Sequence, residues 1–262
     1  MLASPCYVIS DAHLGAADVT AERRLVAFLR SLHGRAGSLL INGDLFDFWF
    51  EWRTVIPRGH FRTLAALADL VESGVPVTML AGNHDCWGGD VLTKEVGIDY
   101  RISGWEGDLG GWKAAVEHGD GLREVEDRPY RRLRTVLRHP WAIRAFRWVH
   151  PDLGSRLAHG SSDTSRVHRA RDGGTGLSAV ALAHLAAHPA TRLLVYGHSH
   201  VSALVRAPGG GLYANPGAWL DAPTYLRVTP ARVELRRWVE GSAEGDLLDA
   251  ADRVAQEALP RT

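Results

Sequence analysis

Five short clusters of metal-binding residue types recur along the chain: Asp11-Ala12-His13, Gly43-Asp44, Gly82-Asn83-His84-Asp85, His118-Gly119-Asp120 and Gly197-His198-Ser199-His200. Each follows an apolar run that reads as a strand. Together they supply carboxylate oxygens, an amide oxygen and imidazole nitrogens, the ligands of hard and borderline dications. In extended backbone residues i and i+2 point the same way, so Asp11 with His13, and His198 with His200, are expected to aim two ligands into one pocket. Strands in a sheet lie about 4.8 Å apart, so motifs at neighbouring strand ends can converge beyond the sheet. Taken singly each motif is weak. Asp-x-His is a common cap, Gly-Asp and His-Gly-Asp are common turns, Gly-Asn-His-Asp can be an Asx-turn, and Gly-His-Ser-His a buried pair. All five in order, each at a strand end, read as one metal centre. No serine or cysteine triad and no Gly-x-x-x-x-Gly-Lys phosphate loop competes with that reading.

The elements that must position these motifs alternate between short apolar runs and longer amphipathic stretches, the rhythm of a layered α/β fold. Strands are expected at residues 6–10, 38–42, 77–80, 112–117 and 192–196, and helices at 20–33, 61–73 and 177–188. Gly74 stops the second helix and Pro189 follows the third. Residues 201–207, 212–214, 225–229 and 233–238 look like a second, mainly antiparallel sheet. The tail from 247 to 259 has helical spacing through Leu247, Ala251 and Val254. Residues 122–176 break the rhythm and read as helical. Tyr130, Leu133 and Val136/Leu137 fit one helical face, and Trp141, Ala145 and Trp148 another. Arg128, Arg131, Arg132, Arg134, Arg138, Arg144 and Arg147 decorate the segment, with no acid between Arg128 and Arg147.

Composition narrows the classes. The 262 residues are 45% hydrophobic and 23% charged, with zero formal net charge, which excludes global disorder and gives no electrostatic ground for nucleic-acid binding. Cys6 and Cys86 are too few for a disulfide framework. Met1 runs into a strand-like segment, and no apolar run approaches the roughly 20 residues of a transmembrane helix. The protein is therefore expected in the cytoplasm, or peripheral on the inner face of the cytoplasmic membrane. The helical pair His184 and His188 lacks a following glutamate and reads as structural.

The five motifs resemble those of the calcineurin-like metallophosphoesterase family, and they span residues 11–200. The resemblance implies a four-layer α/β/β/α sandwich, with residues 1–262 as one domain and residues 122–176 as a helical lid insertion within it. It implies two divalent metal ions, one held by Asp11, His13, Asp44 and His200, the other by Asp44, Asn83, His118 and His198, with Asp44 bridging. His84 would contact phosphate and serve as general acid, oriented by Asp85. Two such ions lower the pKa of a water and neutralise charge on phosphoryl oxygens, so the implied activity is hydrolysis of a phosphate ester or anhydride.

Within that family, the run from Gly43 to Glu51, the helical insertion, and Asn215-Pro216-Gly217-Ala218-Trp219 are similar to a narrower branch. That branch cleaves the pyrophosphate of UDP-2,3-diacylglucosamine to UMP and lipid X in lipid A biosynthesis, using manganese. This implies Mn²⁺, with Zn²⁺ or Fe²⁺ as alternatives that the same ligand set accepts, a lipid-linked sugar nucleotide as substrate, and peripheral contact with the cytoplasmic membrane. It also implies substrate contacts from Asp127, Tyr130, Arg166 and Arg169. The chain departs from the best-known members in carrying His84 where they have arginine; relatives with histidine are assigned the same reaction. Two further readings stay open: a metallophosphoesterase of soluble nucleotides or phosphodiesters, and a non-catalytic scaffold. A scaffold typically loses ligands, whereas this chain carries the whole set.

Overall fold

The computed structural model describes residues 1–156 and 173–254. Strands β1 (Cys6–Ile9), β2 (Ser38–Asn42) and β3 (Val77–Leu80) lie parallel and adjacent, with β4 (Asp99–Arg101) outside them. Their residues from β1 to β3 are buried on both faces, which is why they read as unbroken apolar runs rather than alternating ones. Antiparallel β10 (Thr224–Val228), β11 (Arg232–Arg237) and β12 (Asp246–Asp252) extend the other edge, giving the order β12-β11-β10-β1-β2-β3-β4. The second sheet runs β5-β6-β7-β9-β8, built from Trp105–Leu109, Trp112–Val116, Leu193–Val195, Leu212–Asn215 and Ala203–Arg206 respectively.

Strand periodicity then builds four layers. Cys6 and Val8 of β1 face the second sheet and pack with Trp112, Val116, Leu193 and Val195. Tyr7 and Ile9 face the other way, beneath helices α1 (Val19–Ser31) and α2 (Phe61–Glu72), among Leu25, Phe28, Leu64 and Leu67. On the far side, Leu177, Ala181 and Leu185 of helix α5 (Thr175–Ala187) cover Leu194, Tyr196 and Tyr213. Asp18 caps α1 by accepting the Ala21 N–H at 2.8 Å, and Gly74, at φ +91°, turns the chain out of α2. The expected α/β/β/α sandwich is present.

Two expectations for the C-terminal part fail. The C-terminal strands do not form one sheet: β8 and β9 join β6 and β7, while β10 and β11 pair beside β1. The tail is not a helix through Asp252, because residues 246–252 form β12 on the open edge of β11, where backbone pairing outweighs a weak helical spacing. Strands β4 and β5 carry no clear sequence signal, since one is three residues long and the other is interrupted by Gly107.

Within residues 122–176, the described part is helical: α3 (Arg128–Leu137), α4 (Pro140–Phe146), and a further helical stretch over residues 151–156. The face that α4 buries is Ile143 and Phe146, against Phe48, Phe50, Trp52 and Trp87, rather than the expected Trp141, Ala145 and Trp148. An aromatic cluster on the body selects that i, i+3 pair and leaves Trp141 and Trp148 at 75% and 87% exposure. Two indole N–H groups tie the segment down further: Trp87 donates to the Leu137 carbonyl at 3.0 Å and Trp52 to that of Val149 at 3.0 Å.

Phe50 is 1% exposed at the centre of that cluster. Phe50→Ala is expected to cost roughly 3–5 kcal/mol of stability and to speed proteolysis within residues 128–156. Urea denaturation and timed trypsin digestion check both, and unchanged cleavage of the helical segment would contradict the anchoring role.

Candidate metal centre

The five motifs stand immediately beyond β1, β2, β3, β6 and β7, the carboxyl ends of neighbouring strands in the two facing sheets. Their side chains converge by a different route from the one expected. Asp11, His13, Asp44, His198 and His200 all have positive φ, between 44° and 61°, and among the described residues no other non-glycine does. The chain has left the strands and turns left-handed at each of these positions. It is this winding, and not the pleat, that brings i and i+2 together. Left-handed backbone at a non-glycine residue costs on the order of 1–3 kcal/mol and is found where a site demands it.

The glycines in the motifs make room for close approach. A Cβ on Gly82 would collide with the carboxylate and backbone of Asp44, one on Gly197 with Ser10 and Asp11, and one on Gly43 with the His118 ring. Around Asp44 the imidazoles close in: His118 Nε2 at 3.3 Å, His13 Nε2 at 3.6 Å and His84 Nε2 at 3.9 Å, all measured to Oδ2. His200 Nε2 lies 3.4 Å from Asp11 Oδ1 and 3.2 Å from His13 Nε2. Three overlapping groups result: Asp11, His13 and His200; His13, Asp44 and His84; Asp44, His118 and His198, with ligand atoms inside each group within 4.8 Å. Asn83 adds an amide oxygen from the same turn as His84.

Backbone and carboxylate partners aim these groups. His118 Nδ1 lies 2.8 Å from the Asn42 carbonyl and donates to it, so Nε2 is the nitrogen that faces Asp44. His84 Nδ1 donates likewise to the Asp47 carbonyl at 2.9 Å. The Asp47 carboxylate sits behind both His13 and His84, 3.7 Å from each Nδ1. Asp221 Oδ2 stands 3.3 Å from His200 Nδ1. Asp47 escaped the sequence reading although it lies three residues past Asp44; Asp221 gave no signal there at all.

Asp85 is the reverse case. Expected to orient His84, it instead accepts the backbone N–H groups of Gly82 at 2.8 Å and Leu45 at 2.7 Å, with Asp44 and Phe46 at longer range. It clamps the second and third motifs to each other, and Asp47 takes the place behind His84. Burial, reinforced by the charge of Asp44, raises the Asp85 carboxyl to about 7. Asp127 and Tyr130, expected to meet substrate, are engaged within the protein: Arg123 holds the Asp127 carboxylate at 2.8 Å, and the Tyr130 hydroxyl donates to Asp120 at 2.7 Å. Arg166 and Arg169 lie outside the described residues.

The donor set suits a divalent cation. Asp11 Oδ1, Asn83 Oδ1 and His118 Nε2 are buried without a hydrogen bond, which would be a penalty in an apolar core and is expected of ligands. The charges say the same. Burial alone would raise the Asp44 and Asp11 carboxyls, yet His118 and His84 beside Asp44, and His200 beside Asp11, hold both below the usual carboxylate range. Burial alone would lower His118, but Asp44 draws it up to about 10, whereas burial prevails at His13, which falls to about 4. Two buried carboxylates thus seek positive charge at one point, and bound dications would supply it.

The sequence model of the calcineurin-like phosphoesterases matches residues 4–202, and this chain belongs to that family. With the Asp/His centre at its strand ends, it is a metal-dependent hydrolase of that class. Its relatives narrow the comparison. The chain is 35% identical over 219 residues to a UDP-2,3-diacylglucosamine hydrolase of Porphyromonas gingivalis, covering 76% of this chain and 84% of the relative. It is 28% identical over 234 residues to the protein of the same name from Salmonella arizonae, covering 87% and 96%. Among solved structures it is similar to zinc-complexed Vps29 from Entamoeba histolytica, at 14% identity and a TM-score of 0.47, over 95% of this chain and 99% of that one.

Gly82 has an ordinary φ, so Gly82→Ala tests space alone. The methyl group should displace Asp44, lower stability by roughly 1–3 kcal/mol and reduce metal bound per chain. Elemental analysis of the folded variant checks this; full metal content would contradict the packing argument.

Proposed function

We propose that this protein hydrolyses the pyrophosphate bond of UDP-2,3-diacylglucosamine, yielding UMP and 2,3-diacylglucosamine 1-phosphate for lipid A biosynthesis. The observation that carries the reading is the joining of two features at one place. A buried Asp/His centre built for phosphate chemistry lies beside a docked helical segment that exposes large apolar side chains among arginines. The names of the curated relatives support the same substrate.

In this reading Asp11, His13, Asp44 and His200 hold one divalent ion, and Asp44, Asn83, His118 and His198 hold the other; manganese suits this mixed oxygen and nitrogen set, as zinc and iron also do. When bound, such ions lower the pKa of water and neutralise charge on the phosphoryl oxygens. The remaining work falls to the chain. His84 presents Nε2 to the centre because its Nδ1 is held by the Asp47 carbonyl. From there it contacts a phosphoryl oxygen or protonates the departing one. Asp85 fixes the turn that carries Asn83 and His84.

Residues 122–176 act as the lid. Asp120, next to His118, accepts from Tyr130 and pairs with Arg134 and Arg138 at 3.3 and 3.4 Å, while Arg138 also donates to the Gly82 carbonyl at 3.2 Å. The fourth and third motifs are thereby linked to α3. Exposed Trp141, Trp148 and Leu153 offer apolar surface to acyl chains and to the inner face of the cytoplasmic membrane, with Arg144 and Arg147 placed for its anionic headgroups. Among the described residues no helix is long and apolar enough to cross a membrane, so contact of this kind would be peripheral.

The test is an assay of manganese-loaded protein on UDP-2,3-diacylglucosamine, its deacylated counterpart and a simple phosphodiester. The acylated substrate should be strongly preferred; equal turnover of all three would favour an enzyme of soluble phosphodiesters. Asp44→Ala should lose activity together with metal. His84→Ala should keep its metal and lose roughly 10²–10⁴ in rate, and metal loss as complete as in Asp44→Ala would refute its assigned role.

A further inference from the structure

A cavity of about 260 Å³ lies between the start of α1 with the loop before it and residues 219–223, next to the loop that carries His13. None of its lining residues belongs to the five motifs, but three of them touch His13 or His200. The Ala16 and Ala17 N–H groups both donate to the His13 carbonyl at 3.0 Å, and Asp221 lies against His200 at 3.3 Å. Ala16, Ala17 and Pro223 supply small apolar surfaces; Asp18, Arg24 and Asp221 bring charged groups to the same space. The helical segment, by contrast, is fastened at Gly82 and Asp120, beside His118. Asp44 stands between, with His118 and His13 at 3.3 and 3.6 Å from the same oxygen.

A pyrophosphate that joins two organic groups must send them in different directions from the phosphorus under attack. On the proposed substrate, the lipid half is matched by the apolar, arginine-bearing helical side. The other half needs its own place, and the cavity is too small and too charged for acyl chains. Resting on the function proposed above, we infer that this cavity beside His13 and His200 is the nucleoside subsite and receives the uridine of the sugar nucleotide. Uridine carries what these walls recognise: a flat ring for the alanines and Pro223, carbonyl oxygens for the Arg24 guanidinium, and an imide N–H and ribose hydroxyls for Asp18 and Asp221. Asp221 then has two roles, holding His200 on one side and facing the nucleoside on the other.

Inhibition of bis(p-nitrophenyl) phosphate hydrolysis, by UMP and by inorganic phosphate, tests the assignment. In the wild-type protein UMP should bind tighter than phosphate by roughly tenfold or more, the worth of a few net hydrogen bonds and a covered ring face. Arg24→Ala, a surface change that leaves folding intact, and Ala17→Leu, which fills the cavity, should each abolish that advantage while the phosphate constant stays put. A UMP advantage that survives both substitutions, or is missing from the wild type, overturns the subsite. Turnover of UDP-2,3-diacylglucosamine by the wild type, measured in parallel, separates the two inferences. Turnover with the subsite overturned rejects the cavity alone, and no turnover beside a UMP advantage that both substitutions abolish rejects the proposed substrate alone.

Discussion

The structure turns on two carboxylates, Asp11 and Asp44, that are entirely buried at the point where two sheets end. An uncompensated buried charge costs several kcal/mol even after the protein relaxes, so everything around these groups must supply positive charge or hydrogen-bond donors. The backbone N–H of His198 binds Asp11 at 3.0 Å and that of His84 binds Asp44 at 2.9 Å, each crossing from one motif to another. Imidazoles fill the remaining directions. Left-handed turns at five residues of the centre and close glycine contacts are the conformational cost of packing so many polar groups at one point. They persist because Asp85 and the Asn42 carbonyl pin the loops from outside.

The same constraint explains how the helical segment connects to the chemistry. Asp120 follows His118 by two residues, and its buried carboxylate is compensated by Tyr130, Arg134 and Arg138 from the segment rather than by the body. Arg138 reaches on to Gly82, whose own missing side chain makes space for Asp44. A change in the seating of α3 therefore acts on the loops that carry His118 and Asn83. The aromatic cluster of Phe48, Phe50, Trp52 and Trp87 steadies the far end of the segment. Its exposed tryptophans are thus held in place by contacts that they do not make themselves.

Much of this was legible in the sequence, and the reason is local. The β1–β3 runs are buried on both faces and read as strands without ambiguity; each ends in a glycine-marked or Asp-His turn whose composition has few other uses. What the sequence could not disclose depends on partners distant in the chain. Nothing in Leu247 to Val254 says that β11 has an open edge. The inward face of α4 is chosen by aromatic residues distant in the chain, Phe48, Phe50, Trp52 and Trp87. Asp85 and Asp47 are both acids near His84, and only the three-dimensional path of the turn decides that one grips backbone while the other stands behind the ring. The convergence of Asp11 with His13 was anticipated, but on extended geometry that the positive φ angles replace.

The central claim is that Asp44 is the shared ligand of a two-ion centre at the ends of β1, β2, β3, β6 and β7. Anomalous diffraction from a manganese-soaked crystal tests it most directly. Two peaks should appear, both bonded to Asp44, with His200 on one, His118 on the other, and His84 bonded to neither. A single peak, or two peaks with either His118 or His200 left unbound, would contradict the account.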